Sequence, residues 1–169
     1  MTGVQTCALP ISGRVRCSAF WVALLAGLAL CCGCRTPKES DLFTTQGPGW
    51  QVQQGQALWR LWRVMPELGG DIVMASNADG RCVVEFTKTP LSLLVAQTSR
   101  TNWLIEFPPR NMGFMGRGSP PKHFAWLYLH AALEGDPLPP AFRFQRKADG
   151  GWRLENTRSG ESVEGFLGP

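Results

Sequence analysis

Stretches in which hydrophobic and polar residues alternate fill most of the chain after residue 50, and they predict β-strands. Successive side chains of a strand point to opposite faces, so an alternation every second residue indicates a strand with one buried face. The clearest case is a hairpin, with strands at 70–76 and 81–88 around an Asp-Gly turn. Further strands are predicted at 50–54, 91–98, 101–107, 142–147, 151–157 and 162–167. The segment 58–64 is rich in strand formers, but Trp59 and Trp62 also fit a helical spacing, so both interpretations stay open.

One helix is predicted at 124–133, where apolar residues run without a breaker. Ser119 is a suitable N-cap, Pro120 or Pro121 fits the first turn, and Gly135 ends the helix. The helix is apolar almost all round, so it must bury both faces or cover an apolar cavity. The predicted fold is mainly β with one helix: a curved antiparallel sheet of about seven to nine short strands, forming an open half-barrel. The helix covers its concave face, and the uncovered remainder of that face would form an apolar groove.

The first residues predict export rather than a folded element. Residues 1–12 resemble a translated sequencing adapter and are excluded as a scar. Residues 13–33 have the pattern of a lipoprotein signal peptide, because Arg14 and Arg16 precede an uncharged apolar run at 19–30. That run is too short for a comfortable membrane span, although an uncleaved anchor helix is the alternative.

Cys34 is the predicted site of lipid attachment. It follows Gly33 and two further cysteines, and small residues are what the processing enzymes require before the acylated cysteine; Cys32 is the second candidate. Only Cys34 and Cys82 would remain after cleavage, so no disulfide is expected despite an oxidising compartment. Cys82 lies within a predicted strand and is interpreted as a small core residue.

Composition narrows the classes of partner. The formal net charge is +4, and loss of the two signal arginines would leave a nearly balanced chain, so nucleic acid is not an expected partner. Residues 34–49 are polar with few apolar side chains and predict a flexible tether. The folded domain is predicted at 50–169.

The segment 126–139, WLYLHAALEGDPLP, together with the strand at 151–154, resembles the LolA/LolB family of lipoprotein carriers and acceptors. The resemblance implies an open β-barrel with an apolar hollow under helices, and LolB-like members are lipoproteins themselves. It implies a lipid-anchored protein on the periplasmic side of the bacterial outer membrane, with a lipid or lipoprotein cargo. Arg35 stands where an inner-membrane retention signal would place Asp, which by the same analogy favours the outer membrane.

Aromatic and apolar residues form the candidate ligand site, because tryptophan offers a large apolar area with one donor at a polar mouth. The predicted groove residues are Trp50, Trp59, Trp62, Trp103, Phe107, Phe124, Trp126, Leu127 and His130. The alternative is that these side chains fill an ordinary core. A second set, Met112, Phe114 and Met115, is flanked by glycines and predicts a mobile apolar loop for a membrane or a partner, or a simple flexible connection.

Signals for enzymatic chemistry are weak. His123 and His130 have no nearby Asp, Glu or Cys that completes a metal site, and no nucleophile elbow is present. Asp71, Glu85 and Glu106 are interpreted as solvated residues on the sheet. We therefore expect a non-enzymatic protein without a cofactor or metal that binds lipid or acylated protein in an apolar groove. The alternative is a structural or protein-binding lipoprotein without a ligand cavity.

Overall fold

The computed structural model describes residues 48–168, which form an antiparallel sheet of nine strands and one short helix. This confirms the predicted fold class, a mainly β protein with a curved, open sheet. The predicted scar, the signal peptide, Cys34 and nearly all of the tether lie outside the described residues.

The strands follow one another along the sheet except at a single crossover. Their order is β6-β5-β4-β3-β2-β1-β9-β8-β7, so β6 and β7 form the two edges. Their bounds are β1 Trp50–Arg60, β2 Leu68–Asn77, β3 Cys82–Lys88, β4 Leu91–Thr98, β5 Asn102–Phe107, β6 Met112–Arg117, β7 Phe142–Arg146, β8 Trp152–Asn156 and β9 Ser162–Gly168.

The covering segment, which connects β6 to β7, begins as a 3-10 turn at Ala125–Tyr128 and continues as helix α1 at Leu129–Glu134. Gly135 ends it in the left-handed conformation, as predicted. Ser119 does not cap its start, which lies six residues further on. The side chain of Glu161, from the turn before β9, instead accepts the first N–H of the segment, that of Ala125.

The sheet curves around this covering segment. The 3-10 turn contacts β4 on one side and β8 and β9 on the other. Four strand spacings separate β4 from β9, about 19 Å in a flat sheet, which is too far for one helical turn to bridge. The sheet must therefore curl, and the residues of its inner face form the core with the covering segment.

Three glycines allow this curvature. A Cβ at Gly55 would lie 1.9 Å from the carbonyl oxygen of Phe166, and one at Gly165 would lie 2.2 Å from that of Gln56. At Gly70 it would lie 2.2 Å from the carbonyl oxygen of Thr87. These neighbouring strands approach each other more closely than any side chain permits, and such glycine positions are how sheets bend sharply.

Candidate functional site

Four aromatic rings form a partly exposed row at one end of the concave face, which we call the aromatic mouth: Trp59, Phe107, Phe114 and Phe124. The ring centroids of Trp59 and Phe107 are 6.4 Å apart, and Phe124 lies 6.0 Å from Phe107 and 5.8 Å from Phe114. The rings come from β1, β5, β6 and the residue before the covering segment. Phe114 keeps 45% of its surface exposed, and the other three are partly buried. The row therefore presents an apolar surface to solvent.

Two anchors hold Phe124 at the mouth. On one side, the buried Asn156 donates a hydrogen bond from its Nδ2 to the carbonyl of Lys122 at 2.6 Å. On the other, the N–H of Ala125 donates to Oε2 of Glu161 at 2.8 Å. Asn156 is the last residue of β8, and Glu161 is the residue before β9. The backbone around Phe124 is therefore held by polar contacts in addition to the packing of its ring.

Glu161 is a buried carboxyl group beside the aromatic mouth. Its Oε1 accepts the indole N–H of Trp59 at 3.1 Å, so one side chain joins a mouth residue to the covering segment. Burial raises the pKa of Glu161 to about 7, although the hydrogen bonds from Ala125 and Trp59 act in the opposite direction. The sequence prediction missed this residue, because it placed Glu161 in a turn and no local motif distinguishes it from a solvated glutamate.

We expect the stability of the protein to fall as the pH rises from about 4.5 to about 7, the interval between the ordinary pKa of a glutamate and that of Glu161. The native state binds this proton more tightly than the unfolded chain does, so unfolding releases it within that interval and the loss stays constant above it. The expected loss is on the order of 3 kcal/mol. Urea unfolding at pH 5 and pH 8 measures it.

The matched variant is Glu161→Gln, which has no proton to lose and should show little change between the two pH values. Glu164 does not interfere, because burial raises its pKa but hydrogen bonds and charges of Arg153 and Lys147 lower it overall, below the interval. Equal pH dependence in the variant and the natural chain would show that Glu161 is not responsible.

Some of the predicted groove residues are buried in the core, and others lie at an accessible surface. Trp126 is 1% exposed and packs against Phe86 at 5.0 Å and Trp59 at 5.8 Å between centroids. Leu127 is also buried in the core. These two side chains fill the space between the covering segment and the sheet, so a ligand reaches them only if the segment moves. Trp59, Phe107 and Phe124 are the predicted residues that the structure brings together at an accessible surface.

Three of the four remaining predicted groove residues lie apart from the mouth. Trp103 covers β6, because a Cβ at Gly116 would lie 2.6 Å from its ring. Trp50 lies at the start of β1, with the guanidinium of Arg81 5.3 Å from its ring. His130 is partly buried on α1. Trp62, the fourth of them, lies exposed on the loop that follows β1, because β1 ends at Arg60.

The predicted mobile loop around Met112, Phe114 and Met115 is instead the edge strand β6, so this prediction is corrected. Its backbone pairs with β5, with Phe114 opposite Ile105 and Met115 opposite Leu104. The two glycines of the strand, Gly113 and Gly116, do not prevent pairing at an edge. Phe114 and Met112 share the concave face with β5 residues of the core, whereas Met115 points to the convex face.

Further exposed apolar residues surround the mouth. Trp62 and Met112 among them were predicted from the sequence, whereas Val64, Met65 and Leu91 were missed. The β1–β2 loop, the β3–β4 turn and the start of β6 lie at the same end of the antiparallel sheet. Val64 at the loop tip is 94% exposed. We call this end the apolar rim, formed by Trp62, Val64, Met65, Leu91 and Met112. Arg63, Lys88 and Arg110 are exposed beside it.

The convex face carries a separate cleft of about 650 Å³ between β1, β2, β9 and the β7–β8 turn. Its lining mixes charged and apolar side chains, among them Asp71, Lys147, Glu164 and Phe166. None of the predicted groove residues contributes to it. The cleft is therefore distinct from the aromatic mouth.

Within residues 48–168, no group of His, Cys, Asp and Glu side chains is arranged to hold a metal ion. Cys82 is buried in the core, as predicted, and burial raises the pKa of its thiol to about 12. A thiol in that environment is a poor nucleophile. No helix in this part of the chain is both long and apolar enough to cross a membrane.

Comparison with known proteins adds no identity to these observations: no protein-family model matches the chain, and no curated protein matches it significantly.

Proposed function

We propose that this protein is a lipid-anchored, periplasm-facing protein of the bacterial outer membrane that binds an acyl chain, of a lipid or of an acylated protein, at the aromatic mouth. The observation that carries the proposal is the row of four partly exposed rings on an otherwise packed concave face. A soluble domain gains nothing by exposing Phe114 and Phe124 next to each other unless something covers them.

The size of the mouth suits part of an acyl chain. Each methylene removed from water contributes about 0.8 kcal/mol, so about six methylenes along the row would contribute roughly 5 kcal/mol before the cost of immobilising the ligand. The ligand lies against the mouth and not beneath the covering segment, where Trp126 occupies the space. The expected deep groove is thus replaced in this proposal by a shallow site, which favours exchange of the ligand.

The apolar rim supports a membrane as the source or destination of that ligand. Its exposed apolar side chains with Arg63, Lys88 and Arg110 beside them are the combination that rests on an anionic lipid surface. The mouth lies at the same end of the sheet as the rim, because Trp59 is next to the end of β1, where the β1–β2 loop begins. An acyl chain could pass between bilayer and mouth without crossing bulk water. Placement of outer-membrane lipoproteins is the role that the LolA/LolB resemblance implies.

The alternative, a protein-binding lipoprotein without an acyl site, is favoured by a different observation. The edge strand β6 is apolar and unprotected, so it offers a docking edge for another polypeptide.

Binding of a fluorescent dodecanoyl probe to the lipid-anchored protein in phosphatidylcholine nanodiscs tests the proposal. Signal from empty nanodiscs is subtracted. We expect Phe124→Ser to weaken binding of the probe at least tenfold, because it removes the ring that lies between Phe107 and Phe114. Phe166→Ser is the matched control: this phenylalanine is 53% exposed but lies at the convex cleft. Equal loss in both variants, or no binding by the natural chain, would contradict the proposal.

A further inference from the structure

The two edges of the sheet are protected very differently. Edge strand β7 carries Arg143 and Arg146, and the Arg146 side chain donates to the carbonyl of Leu133. Charged side chains of this kind are how natural proteins prevent another strand from pairing with an edge. The other edge, β6, has no charged residue before Arg117, and all its positions except Gly116 are exposed.

The register of β6 identifies which of its backbone groups are free. The N–H of Gly118 donates to the carbonyl of Thr101 at 2.7 Å, directly after the last β5–β6 pair. Hydrogen-bonded and non-hydrogen-bonded pairs alternate in an antiparallel ladder, so the even-numbered residues of β6 bond to β5. The N–H and C=O groups of Gly113 and Met115 therefore point away from the sheet. Among residues 48–168 no strand pairs with that side.

This free edge adjoins the aromatic mouth. Phe114 lies between Gly113 and Met115, and its ring faces Phe124. A molecule with an acyl chain at the mouth therefore has its next atoms beside the free backbone groups of β6. An extended peptide satisfies such groups by adding a strand.

The charged residues beside β6 favour one class of polypeptide as the added strand. Arg110 lies two residues before β6 and Arg117 is its last residue. Both are exposed, and neither takes part in an ion pair within the described part of the chain. No acidic residue lies between 107 and 119. A second copy of the chain would bring these arginines together, whereas a peptide with a carboxylate would complement them.

We infer that β6 binds the peptide segment next to the acylated residue of a lipoprotein, as a tenth strand, while the acyl chain lies at the aromatic mouth. The segment is extended, uncharged where it pairs and acidic beside Arg110 or Arg117. This inference rests on the proposed function and specifies its ligand, because backbone recognition separates acylated protein from free lipid. Main-chain hydrogen bonds supply the affinity of such pairing, so many cargo sequences fit.

The test compares three probes on the lipid-anchored protein in phosphatidylcholine nanodiscs: dodecanoate, a dodecanoyl pentapeptide with one glutamate, and the same peptide with N-methylated backbone amides. We expect the acyl peptide to bind at least tenfold more tightly than dodecanoate. N-methylation should abolish that gain without any change in the protein. Met115→Pro should abolish it as well, because it removes an N–H that points outward and leaves the β5 pairing intact.

The matched protein control is Arg146→Pro on the opposite edge β7, where the N–H also points away from the sheet because the hydrogen-bonded pair of Lys147 with Gly151 follows it. This variant should preserve the gain from the peptide. Failure of dodecanoate to bind would overturn the proposed function. Binding of dodecanoate with no gain from the peptide, or a gain that survives N-methylation, would overturn only the β6 pairing. A mass of two chains that Met115→Pro reduces to one would overturn it too, because a second copy would then occupy the edge.

Discussion

Replacing Gly55 or Gly165 with alanine should destabilise the protein by about 3 kcal/mol or more, the upper end for overpacking in a core. Each new Cβ would lie within 2.2 Å of a carbonyl oxygen of the neighbouring strand, so β1 and β9 would have to move apart. The atoms in the way belong to the backbone of a paired strand, which cannot shift as easily as the end of a flexible side chain. Both variants should unfold more than about 10 °C below the natural chain in a thermal melt followed by circular dichroism.

Gly168→Ala is the control for this pair because it lies on the same strand β9, where a Cβ would meet only an ordinary contact at 3.8 Å. We expect its melting temperature to stay within a few degrees of that of the natural chain. If all three alanine variants melt together, the close approach of β1 and β9 does not determine the curvature of the sheet.

Trp126→Ala should cost about 3–5 kcal/mol of stability, the range for removing a large buried aromatic side chain. The indole packs against Trp59 and Phe86, and its N–H has no hydrogen-bond partner in the described part of the chain. The loss therefore comes from packing, without a broken hydrogen bond. Urea unfolding of the variant and the natural chain measures it.

Phe114→Ala is the comparison for Trp126→Ala, because Phe114 is a large aromatic residue that was also predicted from the sequence but lies at the surface. Its removal should cost less than about 1 kcal/mol of stability and yet weaken binding of the dodecanoyl probe. A large loss of stability in Phe114→Ala and a small loss in Trp126→Ala would contradict the assignment of Trp126 to the core and Phe114 to the mouth.

The fold was accessible from the sequence where local chemistry and periodicity agree. The 77–80 turn, the end of the helix at Gly135 and the alternation in β3 and β5 each follow from one short segment. Where two rules compete, tertiary contacts decide: the glycines around Phe114 suggested a loop, but pairing with β5 makes a strand. The segment 58–64 divides at Arg60, with strand before it and an exposed loop after it.

The site could be predicted only in part, because the sequence does not distinguish aromatic residues that fill a core from those that line a mouth. Trp126 is buried because it belongs to the covering segment, whereas Trp59 is only partly buried at the mouth. Hydrogen bonds from Glu161 and Asn156, both more than 30 residues away in sequence, fix the position of that segment. No periodicity encodes such contacts. Trp62 and Met112 were predicted from the sequence but not grouped with Val64, Met65 and Leu91 as one apolar rim. Connections that are distant in sequence are known to lie at one end of the sheet only when the register of its strands is known.

Photolabelling in cells tests the aromatic mouth most directly. Cells that express the chain would be grown with a palmitate analogue carrying a diazirine, irradiated, and the labelled peptides of the purified protein mapped by mass spectrometry. Acyl binding at the mouth predicts labels on Phe107, Phe114 and Phe124, separate from any acyl group at Cys34. Labels confined to the convex cleft near Phe166, or found only at the N-terminal lipid, would contradict it.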